Sequence, residues 1–329
     1  MCTAMTLKTG EGSSLLGRTM DFSGELNPSV YIVPRNYQWI NAMNTALITN
    51  PYSFIGAGQD AGGLAFADGV NEMGFGAAAL YFPGYACYRD SGRESGRLPV
   101  AAWELVGFLL GRCENVDRAA AIMGEIALAA VADKVTGTVA PLHWLITDQS
   151  GRSMVIEAMA DGVHVMENPM GVLTNSPDFS WQMTNLRNFM SASPRQNPGV
   201  RWGETELTPF GQGAGSSSLP GGFAPPARFV RTAFEKTCLP FPEGQREGVM
   251  ACFHVLEGVS IPKGSVKTDT GADDYTQYTA VLDTATGEYF FRSYDNSQVT
   301  EARLTRERAD GTAPVCLGPV KRQPSWDQL

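Results

Sequence analysis

The alternation of apolar and polar residues predicts β-strands near both ends of the chain. Residues 2–8 and 14–20 are apolar-rich and are separated by GEGSS, a pattern that predicts a β-hairpin. VYIVP (30–34) contains β-branched and aromatic residues and predicts a strand closed by its proline. YTAVLDTATGEYFFRSYD (278–295) predicts two more strands joined by a turn at TATGE.

Two segments in the middle of the chain also predict strands. MGFGAAALYFPG (73–84) predicts a strand that ends at Pro83 and Gly84, and its small residues indicate close approach of the backbone to another layer. LHWLITDQSGRSMVIEAMADGVHVMEN (142–168) predicts three strands, with turns at DQSG and ADG.

Between these strand segments the pattern changes to helical spacing. LPVAAWELVGFLLGRC (98–113) predicts one helix, with Pro99 near its start and Gly111 near its end. Asn115 is placed to cap a second helix, VDRAAAIMGEIALAA (116–130). Because strand segments flank a helical block, the order predicts an α+β fold with helices packed on antiparallel sheets.

Two glycine-rich segments predict loops. GAGQDAGG (56–63) lacks the third glycine of a dinucleotide-binding motif and precedes an apparent strand. SASPRQNPGVRWGETELTPFGQGAGSSSLPGGFAPPAR (191–228) is rich in Gly, Pro and Ser but contains Trp202 and Phe210, which free linkers rarely carry. We expect an ordered long loop here, packed on a partner subunit.

Composition limits the possible functions. The 329 residues are 43% hydrophobic, enough for a large buried core, and we expect a single domain over 1–329. A net charge of −9 without basic runs argues against binding to nucleic acids or anionic membranes. The first residues do not resemble a signal peptide, and no apolar run approaches the roughly 20 residues of a membrane span, so we expect a cytoplasmic protein.

Cysteine and histidine are too sparse and scattered for a metal site. The chain has three histidines and six cysteines, with no C-x-x-C pair, so we expect no metal and no cofactor. Cys2 follows the initial methionine, and the other five are expected to be small buried hydrophobic residues in a reducing compartment: Cys87, Cys113, Cys238, Cys252 and Cys316.

The candidate nucleophile is Cys2. The chain has no G-x-x-x-x-G-K-[ST] phosphate loop and no G-x-S-x-G nucleophile elbow. His143 lies in the apolar PLHWLIT and is expected to be a core histidine, while His164 and His254 have no distinguishing context. Removal of Met1 would give Cys2 an α-amine with a pKa near 7.7–8.0, able to accept the thiol proton. A Cys–His pair remains an alternative that requires contacts between distant segments.

The predicted hairpin brings GRTMDF back beside Cys2. A guanidinium at Arg18 would lower the pKa of the thiol, and a carboxylate at Asp21 would position the amine. The alternative is a surface ion pair at the end of the hairpin.

The opening CTAMTLKT…LLGRTMDF and VPRNY (33–37) resemble the choloylglycine hydrolases. These N-terminal-nucleophile hydrolases include conjugated bile-salt hydrolases and penicillin V acylases. Further matches cover nearly the whole chain: DGVNEMGFG (68–76), PLHWLITDQSG (141–151), VLTNSPDFSWQMTNLRN (172–188) and LPGGFAPPARFVR (219–231). The resemblance implies a four-layer αββα sandwich.

The resemblance also implies residue roles. Cys2 matches the nucleophile and its α-amine the base, while Arg18 and Asp21 match the partners that hold the thiol and the amine. Asn175, in LTNSP, matches the side-chain donor of the oxyanion hole, and Arg228, in PPARF, matches an arginine that helps fix the site.

Tyr81 departs from the bile-salt pattern. Bile-salt hydrolases commonly have Asn in this stretch, and penicillin V acylases more often have Tyr, so Tyr81 favours phenoxyacetyl or other apolar acyl amides. Its backbone N–H could complete the oxyanion hole. Met20, Phe22, Phe66 and Val139 lie in segments that resemble the family's pocket walls, although ordinary core packing would also explain each of them.

The function implied is hydrolysis of a linear amide through a thioester, without cofactor or metal. The leaving amine would be 6-aminopenicillanic acid from penicillin V, or glycine or taurine from a conjugated bile salt. Acyl-homoserine lactones are a weaker third possibility. A non-catalytic binding protein is the alternative from another class, and the complete set of matched site residues argues against it. The 191–220 segment corresponds to the region that helps assemble family tetramers, which implies a homotetramer.

Overall fold

The structure is a computed structural model that describes residues 1–88 and 96–326. Its strands, in chain order, are β1 (Cys2–Lys8), β2 (Ser14–Phe22), β3 (Ser29–Val33), β4 (Tyr37–Ile40), β5 (Leu47–Asn50), β6 (Phe54–Asp60), β7 (Leu64–Asn71), β8 (Gly76–Tyr81), β9 (Leu98–Ala101), β10 (Ile126–Ala129), β11 (Leu142–Thr147), β12 (Ser153–Met159), β13 (Gly162–Glu167), β14 (Val172–Leu173), β15 (Val200–Trp202), β16 (Thr205–Leu207), β17 (Tyr275–Asp283), β18 (Glu288–Ser293), β19 (Asn296–Arg303) and β20 (Val315–Pro319). Its helices are α1 (Leu105–Leu110), α2 (Val116–Ile122), α3 (Phe179–Asn185), α4 (Pro225–Cys238), α5 (Gln245–Glu257) and α6 (Arg306–Ala309).

Two antiparallel sheets form the centre of the fold. The first has six strands in the order β14-β1-β2-β17-β18-β19, and the second has eight in the order β13-β12-β11-β8-β7-β6-β3-β20. The sheets face each other, with β1 and β2 against β8 and with β17 against β7. Helices α4 and α5 pack on the outer face of the first sheet, and α1 packs on β7 and β8 of the second. These helix, sheet, sheet and helix layers confirm the αββα architecture.

The predicted hairpin at residues 2–20 is confirmed as β1 and β2. Cys2 pairs with Met20 and Ala4 pairs with Arg18. Because side chains two residues apart in a strand lie on one face, this register places Arg18 and Met20 on the face that carries the thiol. The turn contains Gly12 at a φ of +93°, a conformation that favours glycine.

The small residues of β8 allow the two sheets to approach closely, as the sequence predicted. A Cβ atom added to Gly76 would lie 3.4 Å from Cδ2 of Leu16 in the other sheet. This leaves room for Arg18 on β2 to reach the main-chain oxygen of Ala79 on β8, at 3.4 Å.

The predicted helices over 98–113 and 116–130 were wrong in part. Residues 98–101 and 126–129 are instead β9 and β10, which pair in parallel. Both are short apolar segments, and periodicity alone does not distinguish a buried strand from a buried helix. The cap at Asn115 is confirmed, because its side chain accepts from the N–H of Arg118 at 2.8 Å.

Other predicted strands are confirmed, and the predicted loops need correction. VYIVP forms β3, residues 142–168 form β11, β12 and β13, and residues 278–295 contain β18 and most of β17. The glycine-rich 56–63 stretch is mostly strand β6, which pairs with β3 and β7, so that loop prediction was wrong. The 191–228 segment contains the β15–β16 hairpin and the start of α4.

Across residues 1–88 and 96–326, we find no helix with both the length and the apolar character needed to span a bilayer.

Candidate active site

The thiol of Cys2 lies in the wall of an apolar cavity of about 140 Å³ between the two sheets. The residue is only 4% exposed. Arg18 Nη2 lies 3.1 Å from Cys2 Sγ, and Met20 Sδ lies 3.9 Å from it. A guanidinium at this distance stabilises a thiolate.

Arg18 is held by a buried network that the sequence analysis missed. Its Nη1 donates to Asp68 Oδ2 at 3.1 Å, and the hydroxyls of Tyr278 and Tyr289 donate to the same carboxylate at 2.9 and 2.6 Å. Burial disfavours the charge on Arg18, yet Tyr278, Cys2 and Asp68 together raise the pKa of the guanidinium. The only sequence signal for Asp68 was its position at the start of the DGVNEMGFG match.

Asn175 links three parts of the site. Its Oδ1 accepts from the backbone N–H of Cys2 at 2.9 Å and from Arg228 Nη2 at 2.6 Å. Its Nδ2 donates to the main-chain oxygen of Tyr81 at 2.6 Å. Arg228 also donates through Nη1 to the main-chain oxygen of Cys2 at 2.6 Å. The structure therefore brings Asn175 and Arg228 to the nucleophile, although they lie more than 170 residues away in the chain.

Asp21 lies beside the amino end of the chain. Met1 is present, so the nitrogen of Cys2 is a peptide nitrogen here. The amino group of Met1 donates to the main-chain oxygen of Asp21 at 2.6 Å, and the N–H of Asp21 donates to the main-chain oxygen of Met1 at 2.9 Å. The Asp21 carboxylate accepts from Thr276 Oγ1 at 2.6 Å and lies 3.7 Å from Arg228 Nη1. Burial raises the pKa of Asp21, an effect that Arg228 and the chain terminus partly offset.

The cavity wall contains most of the predicted pocket residues. Met20, Phe22, Phe66 and Tyr81 line it, whereas Val139 does not and is 37% exposed. The same segment instead contributes Asp133, Val135 and Thr136 to the wall.

Tyr81 supplies an aromatic ring to the wall of the cavity that Cys2 also lines. Its ring meets that of Phe22 edge to face, with centroids 5.5 Å apart. Burial, followed by the charges of Asp133 and Cys2, raises the pKa of the Tyr81 phenol, which keeps it neutral. The arrangement can accommodate an apolar or aromatic group next to the sulfur.

The three histidines bond to groups other than the Cys2 thiol. His143 is fully buried, with Nδ1 3.0 Å from Glu157 and Nε2 3.0 Å from the main-chain oxygen of Thr174, which confirms the predicted core histidine. His164 pairs with Asp161, and His254 pairs with Glu257.

Three of the five remaining cysteines do not fit their prediction. Cys113 and Cys252 are buried as expected, but Cys87, Cys238 and Cys316 are exposed. Cys87 lies in a loop, Cys316 lies in the edge strand β20, and Cys238 is the last residue of α4, so none of the three reaches the core.

No group of three or more His, Cys, Asp or Glu residues is placed to hold a metal ion within the part of the chain that the structure describes.

Comparisons with known proteins show which family this chain resembles. The family described as linear amide C-N hydrolases, choloylglycine hydrolase family, matches residues 2–317. A bile salt hydrolase/transferase from Clostridium perfringens is 33% identical over 94% of both chains, and a penicillin V acylase from Pectobacterium atrosepticum is 26% identical over 93% of this chain and 82% of its own.

Solved structures show the same fold. A variant of the conjugated bile acid hydrolase from Clostridium perfringens matches the whole of both chains with a TM-score of 0.93 and 30% identity. A penicillin V acylase from Agrobacterium tumefaciens shares the fold with a TM-score of 0.76 at 20% identity, over 95% of this chain and 90% of its own. The protein therefore belongs to the choloylglycine hydrolase family and is a hydrolase of linear amide C–N bonds.

Proposed function

We propose that Cys2, with its amine freed by removal of Met1, attacks the carbonyl carbon of a linear amide and forms a thioester that water hydrolyses. One observation supports this most directly. The Cys2 sulfur lines an apolar cavity, 3.1 Å from the Arg18 guanidinium, while Asn175 bonds to the nitrogen of the same residue.

The proton transfers follow from the position of the amine. The neutral α-amine accepts the thiol proton as the sulfur–carbon bond forms, and then gives that proton to the departing nitrogen as the carbon–nitrogen bond breaks. In the second half, the amine takes a proton from water as the oxygen–carbon bond forms. It then gives that proton to the sulfur as the carbon–sulfur bond breaks, which releases the acid and restores both the thiol and the neutral amine. Arg18 stabilises the thiolate in both halves.

Asn175 supplies a donor for the oxyanion. An amide side chain has two N–H hydrogens, and only one is needed for the main-chain oxygen of Tyr81. The second is available to the substrate oxygen as it becomes negative. Because Oδ1 is fixed by Cys2 and Arg228, the amide needs little reorganisation during the reaction.

The acyl group that we propose is compact and aromatic, as in penicillin V. The cavity of about 140 Å³ is small compared with the roughly 300–1,000 Å³ of pockets that enclose drug-sized ligands. Phe22 and Tyr81 form an edge-to-face pair in the wall of the cavity that Cys2 also lines, and such a wall suits a phenyl ring.

Conjugated bile salts are the second candidate substrates. The observation that favours them is sequence similarity, since the bile salt hydrolase/transferase relative is 33% identical and the penicillin V acylase relative is 26% identical. A sterol would have to extend beyond the cavity at the thiol.

The test measures the hydrolysis rates of penicillin V, glycocholate and taurocholate together with the intact mass of the protein. We expect active enzyme to lack Met1, kcat/KM to be several-fold higher for penicillin V, and Cys2→Ala to lower kcat by at least about 10³-fold. Cys316→Ala, at an exposed thiol, is the matched control and should keep the wild-type rate.

Two results would contradict the mechanism: turnover by Cys2→Ala, or full activity in protein that retains Met1. A higher rate with a bile salt would overturn only the substrate assignment.

We also propose that the protein assembles as a homotetramer through the 191–220 segment. Trp202 is 74% exposed and Phe210 is fully exposed on this segment. Large aromatic residues at such positions are typical of protein interfaces.

A further inference from the structure

Asn175 is held through its main chain as well as through its side chain. The main-chain oxygen of Thr174 accepts from His143 Nε2 at 3.0 Å, and the main-chain oxygen of Asn175 accepts from Gln182 Nε2 at 3.3 Å. His143 and Gln182 are both fully buried, so water does not compete for these bonds. Two successive carbonyls are thereby fixed on either side of the Asn175 Cα atom.

The partners of His143 determine where its protons lie. A main-chain oxygen can only accept, so the Nε2 atom that faces Thr174 carries a hydrogen. Nδ1 lies 3.0 Å from Glu157 Oε1, an oxygen that also accepts from the N–H of Phe179 at 3.0 Å. Whether the bridging proton lies on Nδ1 or on Glu157, Nε2 keeps its hydrogen and the bond to Thr174 persists.

Packing fixes the plane of the imidazole ring. It stacks on Phe82, with ring centroids 4.3 Å apart and an interplanar angle of 6°. Phe82 directly follows Tyr81, whose main-chain oxygen accepts from the Asn175 side chain. His143 thus contacts Thr174, which precedes Asn175, and Phe82, which follows the residue that the Asn175 side chain binds.

We propose that His143 is a positioning residue for Asn175, with Gln182 in the same role on the next carbonyl. The inference rests on the proposed function, because it takes Asn175 Nδ2 as the donor to the oxyanion. Without the His143 donor, the Thr174 carbonyl would be buried and unsatisfied, and its peptide would shift toward another partner. A displacement of about 1 Å in a catalytic group can lower a rate by about 10²-fold.

The experiment compares two substitutions of His143 in a background that has no carboxyl group at position 157. Glu157→Gln provides that background, since the new amide can accept from the N–H of Phe179 and donate to Nδ1 of His143. Glutamine and methionine have similar length at position 143, but only glutamine can donate to the Thr174 carbonyl. His143→Gln is therefore the conservative control for His143→Met.

With the fastest of the three amide substrates, we expect Glu157→Gln to stay within about threefold of the wild-type kcat. Adding His143→Met should lower kcat a further 10-fold to roughly 100-fold while KM changes less than about threefold, and His143→Gln should restore most of the loss. In an Asn175→Ala background the His143→Met substitution should lower kcat by less than about twofold, because its effect acts through the missing side chain.

Circular dichroism and thermal unfolding establish that each variant is folded. The proposal is overturned if the folded Glu157→Gln/His143→Met protein keeps kcat within about twofold of Glu157→Gln, or if the loss is the same with and without Asn175. Should that double variant fail to fold, Gln182→Met tests the same idea and should lower kcat several-fold, again only when Asn175 is present. A wild-type protein that hydrolyses none of the three amides would refute the proposed function instead.

Discussion

The guanidinium of Arg18 carries a positive charge into the centre of the protein and holds it at the Cys2 sulfur. Arg18 and Asp68 are both fully buried, and their 3.1 Å ion pair has no access to water. A buried charge without a partner is costly, so Asp68 stabilises Arg18 in the place where it can act on the thiol. Tyr278 and Tyr289 donate to the same carboxylate and fix its orientation.

Asp68→Asn is expected to damage both stability and turnover. The amide would present N–H groups to donors that now face a carboxylate, and loss of one partner of a buried ion pair costs about 3–5 kcal/mol. Urea unfolding measures the stability, and kcat with the fastest substrate should fall by roughly tenfold or more as Arg18 loses its orientation.

The matched control for Asp68→Asn is Asp269→Asn, which removes the same charge from an exposed site. It should leave both quantities at wild-type values. Equal behaviour of the two variants would show that Asp68 does not support Arg18.

Sequence reasoning found the site residues that lie close to Cys2 in the chain, and it found Asn175 and Arg228 through family motifs. It missed Asp68, although that residue also begins a family match. Arg18 and Asp21 follow Cys2 closely enough for a hairpin to bring them back, so their proximity could be predicted. Asp68 and Tyr278 come from other strands of the two facing sheets. Their contact with Arg18 depends on how the sheets stack, which no local pattern specifies.

Among the structural elements, the turn between β9 and α1 contains an unusual buried carboxyl group. Glu104 Oε1 accepts from the N–H of Ala42 at 2.6 Å, and Oε2 accepts from the N–H of Ala101 at 2.9 Å. Glu104 thereby ties the end of β9 to the residues that follow β4. Burial raises its pKa from 4.5 to about 6, against the effect of these two bonds.

This carboxyl group should make stability fall as pH rises between about 4.5 and 6. In that window the folded state binds more protons at Glu104 than the unfolded state does, so the free energy of unfolding decreases as pH rises. A shift of this size corresponds to about 2 kcal/mol. Urea unfolding of wild type and Glu104→Gln at pH 4 and pH 7 measures the effect.

The glutamine variant removes the titrating group, so the stability difference between the two proteins should change by about 2 kcal/mol from pH 4 to pH 7 in favour of Glu104→Gln. A difference that does not change with pH would contradict the assignment to Glu104.

The predictability of the elements follows the range of their contacts. The β1–β2 hairpin and the β11–β13 strands pair with their neighbours in sequence, and alternation with turn residues was enough to find them. Strands β9 and β10 pair in parallel across α1 and α2, so their apolar residues were assigned to helices. The αββα layering itself came from family resemblance, since the strand and helix patterns predicted only helices packed on antiparallel sheets.

At the scale of the whole molecule, the 191–220 segment is the proposed contact between subunits. Replacing Trp202 and Phe210 with serine should dissociate the tetramer, since it removes two exposed aromatic residues from the contact. Size-exclusion chromatography with light scattering should show the mass of four chains for wild type and a lower mass for the double variant.

Phe241→Ser, at another residue that is largely exposed, is the control and should keep the wild-type mass. A wild-type protein with the mass of a single chain would refute the assembly proposal.

The three exposed cysteines have a practical consequence for counting active molecules. Cys87, Cys238 and Cys316 are open to alkylating reagents, whereas Cys2 lies almost entirely inside the protein. Titration with iodoacetamide would therefore label these three non-catalytic thiols before it labels Cys2. A background with serine at those three positions would let each equivalent of label correspond to one working enzyme.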